Sequence, residues 1–167
     1  MKRFKARNTQ PIKRITVLLA EDHTSVRKSL KILLELDGSI EVIGEAINGV
    51  EAVQLAGSLQ PQVVVMDLAM PLLTGLQATQ QITASSPGTK VLILSAHSDQ
   101  EYIRQAMTYG ASGYLVKQSS VDVLARAVRE VFKGKIYLSG MISDHLRGQC
   151  QQTFKKQKAV KINALRV

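Results

Sequence analysis

The sequence contains no tryptophan, only four tyrosines and three phenylalanines, and a single cysteine among its 167 residues. One cysteine cannot form an internal disulfide, so Cys150, which lies in a polar stretch, fits a reducing cytosol. No apolar run is long enough to span a membrane, and the basic residues 1–14 lack the apolar core of a secretory signal. We therefore expect a cytoplasmic protein that does not enter a membrane.

The net charge of +9 is distributed unevenly along the chain. Residues 1–14 carry +6 and residues 141–167 carry +5, whereas residues 15–140 carry −2. The central part therefore has no basic face that would suggest a DNA footprint. The first tail has one aromatic residue, Phe4, whereas nucleic-acid stacking platforms use several. DNA contact by the tails is kept as a second hypothesis.

What the sequence does have is a regular alternation of short apolar runs and helical periodicity over residues 15–135. A hydrophobic fraction of 45% is sufficient for a packed core. Ser98 with Glu101 predicts a capping box for the fourth helix, and Ser119 with Ser120 predicts the start of the fifth. The alternation predicts an α/β fold with a five-stranded parallel sheet and helices on both faces. The predicted strands are residues 15–20, 40–46, 63–67, 91–95 and 113–116.

Polar side chains lie at the ends of four of these strands. Glu21 and Asp22 follow the first strand, Asp67 ends the third, Ser95 ends the fourth and Lys117 follows the fifth. The carboxyl ends of parallel strands share one edge, where α/β sheets bind ligands. Neighbouring carboxylates need a cation, and hard oxygen ligands suit Mg²⁺, while a lysine and a hydroxyl can bind phosphoryl oxygens. The set predicts in-line phosphoryl transfer onto Asp67.

Four motifs resemble the receiver domain of bacterial two-component response regulators over roughly residues 13–135. They follow in the family's order and stand at the matching strand ends. The Glu-Asp-His start and residues 110–115 resemble the NarL/FixJ (LuxR-type) subfamily, which usually carries a DNA-binding output domain. The motifs are Leu19-Ala20-Glu21-Asp22-His23, Met66-Asp67-Leu68-Ala69-Met70-Pro71 with Thr74-Gly75, Leu94-Ser95-Ala96 and Gly113-Tyr114-Leu115-Val116-Lys117.

The resemblance implies a flavodoxin-like (CheY-like) doubly wound sheet with strand order 2-1-3-4-5. It implies that Asp67 accepts a phosphoryl group from a sensor histidine kinase, and that the chain is a phosphoacceptor signalling domain and not an enzyme. The added charge then shifts a two-state population, which changes the surface of the fourth helix, fifth strand and fifth helix. That surface relays the signal to a downstream protein or to DNA, and phosphorylation can promote a homodimer.

The family's other functional residues carry over position by position. Lys117 pairs with the phosphoryl group, and Ser95 moves to hydrogen-bond it. Tyr114 takes the aromatic switch position and changes rotamer with Ser95, although a tyrosine packed in the core is an equally good interpretation. The implied Mg²⁺ ligands are Glu21, Asp22, Asp67 and the backbone carbonyl of Ala69.

Two positions depart from the family's pattern. Gln118 follows Lys117 where many receivers have a proline in cis linkage, and a cis bond before a non-proline residue costs about 3 kcal/mol. Ala69 puts no polar side chain two residues after the phosphoacceptor. An aspartyl-phosphate phosphatase of the haloacid-dehalogenase type needs an acid there, so that alternative is disfavoured.

A dinucleotide-binding enzyme is disfavoured because no glycine follows the first strand. The histidines lack zinc-site spacing and are expected to be solvated or locally hydrogen-bonded: His23, His97 and His145.

We divide the chain into a basic tail over residues 1–12, a receiver domain over 13–135 and a C-terminal segment over 136–167. Within the last segment, residues 141–146 indicate the start of a linker helix, and 149–158 are polar and basic without apolar periodicity. The remaining length is too short for a complete helix-turn-helix reader. We expect either a stand-alone receiver or a truncated relative that lost its output domain.

Overall fold

Six parallel strands form the central sheet, and helices cover both of its faces. A computed structural model describes residues 13–117, 121–140 and 142–164 of the chain. The strands are Ile15–Ala20 (β1), Ile40–Ala46 (β2), Val63–Met66 (β3), Lys90–Ser95 (β4), Gly113–Val116 (β5) and Tyr137–Leu138 (β6). The helices are Thr24–Leu36 (α1), Gly49–Leu59 (α2), Gly75–Ser85 (α3), Gln100–Thr108 (α4), Val121–Phe132 (α5) and Asp144–Ala164 (α6). Within the described ranges, no helix combines the length and apolar character needed to cross a membrane.

The strand order is β2-β1-β3-β4-β5-β6. The predicted order of the first five strands is confirmed, but the predicted number of strands is wrong. The short strand β6 pairs in parallel with β5, so that Gly113 lies opposite Tyr137 and Tyr114 opposite Leu138. Two residues are too few to show a strand period, and this is why the sequence pattern missed β6.

Alternate residues of the strands enter two separate cores, because successive side chains in a strand point to opposite faces. In β1, Leu18 and Ala20 pack with side chains of α2, α3, α4 and α6. Val17 and Leu19 pack on the other face with α1 and α5. All four residues of β3 are buried, which explains its continuous apolar run. The central strand β3 therefore has its first polar side chain directly after its last residue, at Asp67.

The starts of two helices differ in how their first amide groups are satisfied. α3 begins with a capping box, in which Thr74 accepts from the Gln77 amide and the Gln77 side chain accepts from the Thr74 amide. The predicted capping box of Ser98 and Glu101 is wrong. The N-cap of α4 is the next residue, Asp99, and its side chain makes no capping hydrogen bond. The predicted cap at residues 119–120 lies outside the described residues.

α6 is a 21-residue helix that packs along α4. The sequence indicated only its beginning, because the second half is basic and lacks periodicity. Leu146 and Cys150 are buried, so the polar setting expected for Cys150 is wrong. The side-chain amide of Gln157 donates to the carbonyl oxygens of Met107 and Thr108, at 3.0 and 2.9 Å. These bonds give a donor to two carbonyls in the last turn of α4, of which that of Met107 also accepts from the Gly110 amide.

Candidate functional site

Three of the predicted site residues, Glu21, Asp67 and Lys117, stand one residue beyond a strand, at the carboxyl edge of the sheet. Sheet-type hydrogen bonds continue to these positions. The Asp67 amide donates to the Ala20 carbonyl at 3.0 Å, and the Lys117 amide donates to the Ser95 carbonyl at 2.8 Å. The Glu21 amide is held in the same way by β2. The backbone of each residue is therefore fixed by the sheet.

Lys117 joins the two buried carboxylates of this edge. Its Nζ atom lies 2.7 Å from Glu21 Oε2 and 3.2 Å from Asp67 Oδ1. The side chain of Glu21 is 1% exposed and that of Asp67 is 6% exposed, whereas Lys117 is 24% exposed. The structure thus places together three residues that the sequence assigned to one site. A buried carboxylate pair without this cation would be strongly unfavourable.

The electrostatic environment works against the ionised form of Asp67. Burial raises the pKa of Asp67, and the charge of Glu21 raises it further, while Lys117 opposes both effects. The pKa of Lys117 is raised in turn. Burial alone would lower it, but the hydrogen bond to Glu21 and the charges of Asp67 and Glu21 outweigh that effect. The site therefore favours the charged form of Lys117 and disfavours the ionised form of Asp67.

Asp22 and His23 lie beside Glu21, and the three residues form a cluster of possible metal ligands. One ligand atom from each of the three residues lies within 4.8 Å of the others. Asp22 Oδ1 is buried and accepts no hydrogen bond, although His23 Nδ1 is 3.0 Å away. An oxygen in this condition is suited to a cation. The sequence placed His23 outside the site, although its position directly after two acids was the available signal.

The loop that follows Asp67 is held by two close backbone approaches. A Cβ atom on Gly75 would overlap the carbonyl oxygen of Asp67, and one on Gly49 would overlap that of Leu73. The Gly75 amide donates to the Leu68 carbonyl at 2.9 Å. Only glycine permits α3 to begin this close to the end of β3. The implied metal ligand Ala69 lies in this loop and is exposed.

Ser95 and Tyr114 lie together below this edge and are fully buried. Both contact the backbone of His97. The His97 amide donates to Ser95 Oγ at 3.1 Å, and the Tyr114 hydroxyl donates to the His97 carbonyl at 2.7 Å. The His97 ring lies 5.3 Å from the ring of Tyr102 on α4. The tyrosine is a core residue whose hydroxyl has a specific partner, and the group connects the site to α4.

Arg27 on α1 holds the backbone at the end of β1, and the sequence analysis did not identify it. Its Nη1 atom donates to the Glu21 carbonyl at 2.8 Å, and its Nε atom donates to Glu45 Oε2 at 3.1 Å. The side chain is 11% exposed. No strand ends at residue 27, so the rule that located the other site residues could not select it. Gln118 lies outside the described residues, and so does the expectation about the bond after Lys117.

Comparison with known proteins identifies the class that this fold and site define. The profile of the response regulator receiver domain matches residues 17–129. The chain belongs to this family. Its relatives and structural neighbours are of the NarL/LuxR type, which confirms the resemblance found in the motifs.

Two curated relatives are transcriptional or oxygen regulators. The transcriptional regulatory protein LnrK of Bacillus subtilis is 37% identical over 147 residues, which are 88% of this chain and 65% of LnrK. The oxygen regulatory protein NreC of Staphylococcus carnosus is 38% identical over 131 residues, which are 78% of this chain and 60% of NreC. The chain therefore spans less than two thirds of the length of these relatives.

Solved structures show the same fold. The signal receiver domain of NarL from Mycobacterium tuberculosis superimposes with a TM-score of 0.72 and 32% identity, covering 74% of this chain and 99% of that domain. A LuxR-family response regulator from Aurantimonas sp. SI85-9A1 gives a TM-score of 0.74 and 27% identity, covering 88% of this chain and 99% of that one. The second alignment extends over more of the chain.

Proposed function

We propose that Asp67 is the phosphoacceptor of this receiver domain and takes its phosphoryl group from the phosphohistidine of a sensor histidine kinase. In this step the P–N bond to the histidine breaks and a P–O bond to an Asp67 carboxylate oxygen forms. The observation that carries the proposal is the position of Lys117, whose ammonium contacts Asp67 and a second buried acid. Among the described residues, Glu21 and Asp67 both combine this burial with a strand-end position and a contact with Lys117. Asp67 is the one that follows the central strand β3 and occupies the phosphoacceptor position of the family motif.

Lys117 is already placed to receive the negative charge that phosphorylation adds. The Asp67 carboxylate loses its charge as an acyl phosphate, while the new phosphoryl oxygens carry about two charges at neutral pH. The ammonium at 3.2 Å can follow these oxygens with a small side-chain movement. Glu21 keeps a hydrogen bond to the same ammonium before transfer, so the lysine is held in place in the resting state.

The residues at this edge fit a divalent cation. Glu21, Asp22 and Asp67 would hold Mg²⁺, with the carbonyl of Ala69 as the further ligand that the family resemblance implies. The orphaned Oδ1 atom of Asp22 supports this assignment. Bound there, Mg²⁺ would neutralise charge on the phosphoryl oxygens. The chain's own residues provide the acceptor, the ammonium and the Ser95 hydroxyl.

We infer that the signal leaves through Ser95 and Tyr114. To donate to a phosphoryl oxygen, the Ser95 hydroxyl has to turn from its place beside the His97 amide. The His97 amide then loses Ser95 Oγ as its acceptor, while the Tyr114 hydroxyl donates to the carbonyl of the same residue. Ser95 and Tyr114 are therefore expected to respond together. The segment leads into α4, and α4 is covered by α6. The relay surface therefore includes α6 as well as α4, β5 and α5.

The chain's role as a signalling domain and not an enzyme is part of this proposal. With alanine at position 69, no acidic side chain stands where an aspartyl-phosphate phosphatase keeps its acid–base group.

The names of the relatives describe transcriptional and oxygen regulation. From these names we draw the further proposal that this receiver acts on DNA as part of a longer regulator. Residues 142–164 contain one helix, whereas a helix-turn-helix requires two. The cytoplasmic location expected from the sequence stays a prediction.

Phosphorylation of the full chain tests the proposal. The protein is incubated with acetyl phosphate and Mg²⁺, and the modified fraction is read by phosphate-affinity electrophoresis and by intact mass. We expect one phosphoryl group on the wild type and none on Asp67→Asn. Asp99→Asn is the matched control, because Asp99 is an exposed acid at the start of α4, and it should be modified normally. Equal modification of Asp67→Asn would place the acceptor elsewhere.

A further inference from the structure

A second candidate site lies at the opposite edge of the sheet from Asp67. A cavity of about 250 Å³ opens between the amino ends of β4 and β5 and the C-terminal half of α6. Lys90 and Ser112 belong to its sheet side, and Lys158 and Lys161 belong to α6. Phe154 and Ile162 supply an apolar wall. Neither the proposed phosphorylation nor the family comparison assigns a role to this cavity.

The charges around the cavity are all positive. Three lysines line it and no carboxylate does. Within the described ranges, none of these lysines forms an ion pair. Burial lowers the pKa of Lys90, and the charges of Lys161 and Lys158 lower it further, so the ammonium groups repel one another. An anion would relieve this repulsion.

A buried serine lies among the lysines. Ser112 is 4% exposed and lines the cavity. A hydroxyl at this position can donate a hydrogen bond to an anionic oxygen. The Nζ atom of Lys158 is 3.9 Å from the point where a Cβ atom on Gly134 would lie. The ammonium of Lys158 therefore lies close to the part of the cavity that Gly134 lines.

We propose that this cavity binds a small anion with an apolar body, whose carboxylate or phosphate group is held by Lys90, Lys158, Lys161 and Ser112. The volume sets the size of the ligand. A cavity of about 150 Å³ accommodates benzene, so the present one has room for a ring-sized group together with a charged head. The apolar body packs on Phe154 and Ile162. The bound anion joins α6 to the sheet and so stabilises the docked helix.

Titration of the full chain with benzoate tests the site. Two-dimensional NMR follows the backbone amides of Gly110, Ser112 and Gly134, all of which border the cavity. We expect saturable shifts at these amides with up to about 20 mM benzoate, a range that detects a millimolar Kd. Benzamide is the neutral control and should bind at least threefold more weakly. Phenyl phosphate and inorganic phosphate then distinguish a carboxylate from a phosphate head and show the contribution of the apolar body.

Matched lysine variants locate the binding. Lys161→Gln should weaken the affinity for benzoate roughly threefold to tenfold, as expected for loss of a partly exposed ionic contact. Lys155→Gln removes the same charge from the same helix, but Lys155 does not line the cavity, and its effect should stay within about twofold. Equal effects of the two variants would reduce the binding to general attraction by a basic helix. Equal binding of benzamide, or no shifts at these amides, would overturn the proposal.

An independent readout follows from the chain's single cysteine. Cys150 is buried where α6 meets α4, so its thiol is protected while α6 stays docked. An anion that joins α6 to the sheet should slow alkylation of Cys150 by iodoacetamide, measured by intact mass. Benzamide should leave the rate unchanged. An unchanged rate with saturating benzoate would contradict binding between α6 and the sheet, whatever the outcome at Asp67.

Discussion

Replacing Asp67, the proposed phosphoacceptor, with its neutral isostere should stabilise the fold. Asp67 is 5% exposed and is surrounded by backbone, by Glu21 and by a single lysine. The pKa of Asp67 is raised because burial and the charge of Glu21 together outweigh the attraction of Lys117. The folded state therefore disfavours the carboxylate at neutral pH. Asp67→Asn removes this charge while Lys117 keeps its closer contact with Glu21.

We expect the free energy of unfolding to rise by about 1 kcal/mol, in the usual range for relief of strain at a functional site. For a chain of this length, that change raises Tm by roughly 2–4 °C. The gain is smaller than the full desolvation cost of a carboxylate because the asparagine amide must still find partners in the same space. Loss of the weaker contact with Lys117 subtracts a further part.

The pH dependence has a definite sign. A group whose folded-state pKa is raised contributes stability that is fully present below its unfolded value, near 4, and is lost as pH rises through the folded value. The wild type therefore loses this contribution between acid and neutral pH, whereas Asp67→Asn does not. The difference between the two proteins should be small near pH 4 and should grow as the pH rises through the folded-state pKa of Asp67.

Urea unfolding of both proteins at several pH values measures this difference. Glu41→Gln is the control, because Glu41 is an exposed acid on β2, and its effect should stay within about 0.5 kcal/mol. Adding Mg²⁺ should reverse the order. The wild type gains about 2.7 kcal/mol at a concentration of 100 Kd, and Asp67→Asn, which lacks a ligand, gains much less. A destabilised Asp67→Asn protein at pH 7 without metal would refute the electrostatic reasoning.

Three further substitutions probe the lysine, the loop and the α6 contact, and a fourth, Gly57→Ala, is the control for the loop variant. Lys117→Met should destabilise the protein by about 3 kcal/mol in urea, because two buried carboxylates lose their cation; a stabilised variant would contradict this. Gly75→Ala should cost about 1–3 kcal/mol and slow the proposed phosphorylation, since its Cβ atom displaces the carbonyl of Asp67. Gly57→Ala, with open space around it, should instead stabilise by up to about 1 kcal/mol. Gln157→Leu should speed alkylation of Cys150, and an unchanged rate would show that the amide does not hold α6.

The sequence located the site because a simple rule connects strand ends to one edge of the sheet. Asp67, Glu21 and Lys117 each follow an apolar run, and parallel pairing alone brings their backbones together. Arg27 could not be found by this rule, since it reaches the site from the end of the first turn of α1 and contacts a backbone carbonyl. His23 followed two acids directly, but a single histidine has no spacing pattern to interpret.

The parts of the fold that the sequence missed depend on tertiary contacts. Two residues of β6 become a strand only because β5 offers an open edge. The second half of α6 has little apolar pattern, yet Phe154 and Gln157 anchor it on α4 and on the sheet. The start of α4 shifts by one residue from the predicted cap, which is within the usual error of sequence-based helix limits. A local sequence pattern does not show that β5 pairs with β6 or that α6 packs on α4.

Tyr114 connects the candidate site with the end of β6, the first through its side chain and the second through its main chain. Its hydroxyl holds the backbone of His97 beside the site, while its main-chain carbonyl accepts from the Ser139 amide at the end of β6. Arg147 of α6 donates to the carbonyl oxygens of Leu138 and Ser139. A rotamer change that shifts the Tyr114 backbone is therefore transmitted to α6 through β6, and separately through α4 and Gln157. Because both routes end on α6, we expect release or tightening of this helix to report the state of Asp67 even though no α6 side chain touches the site.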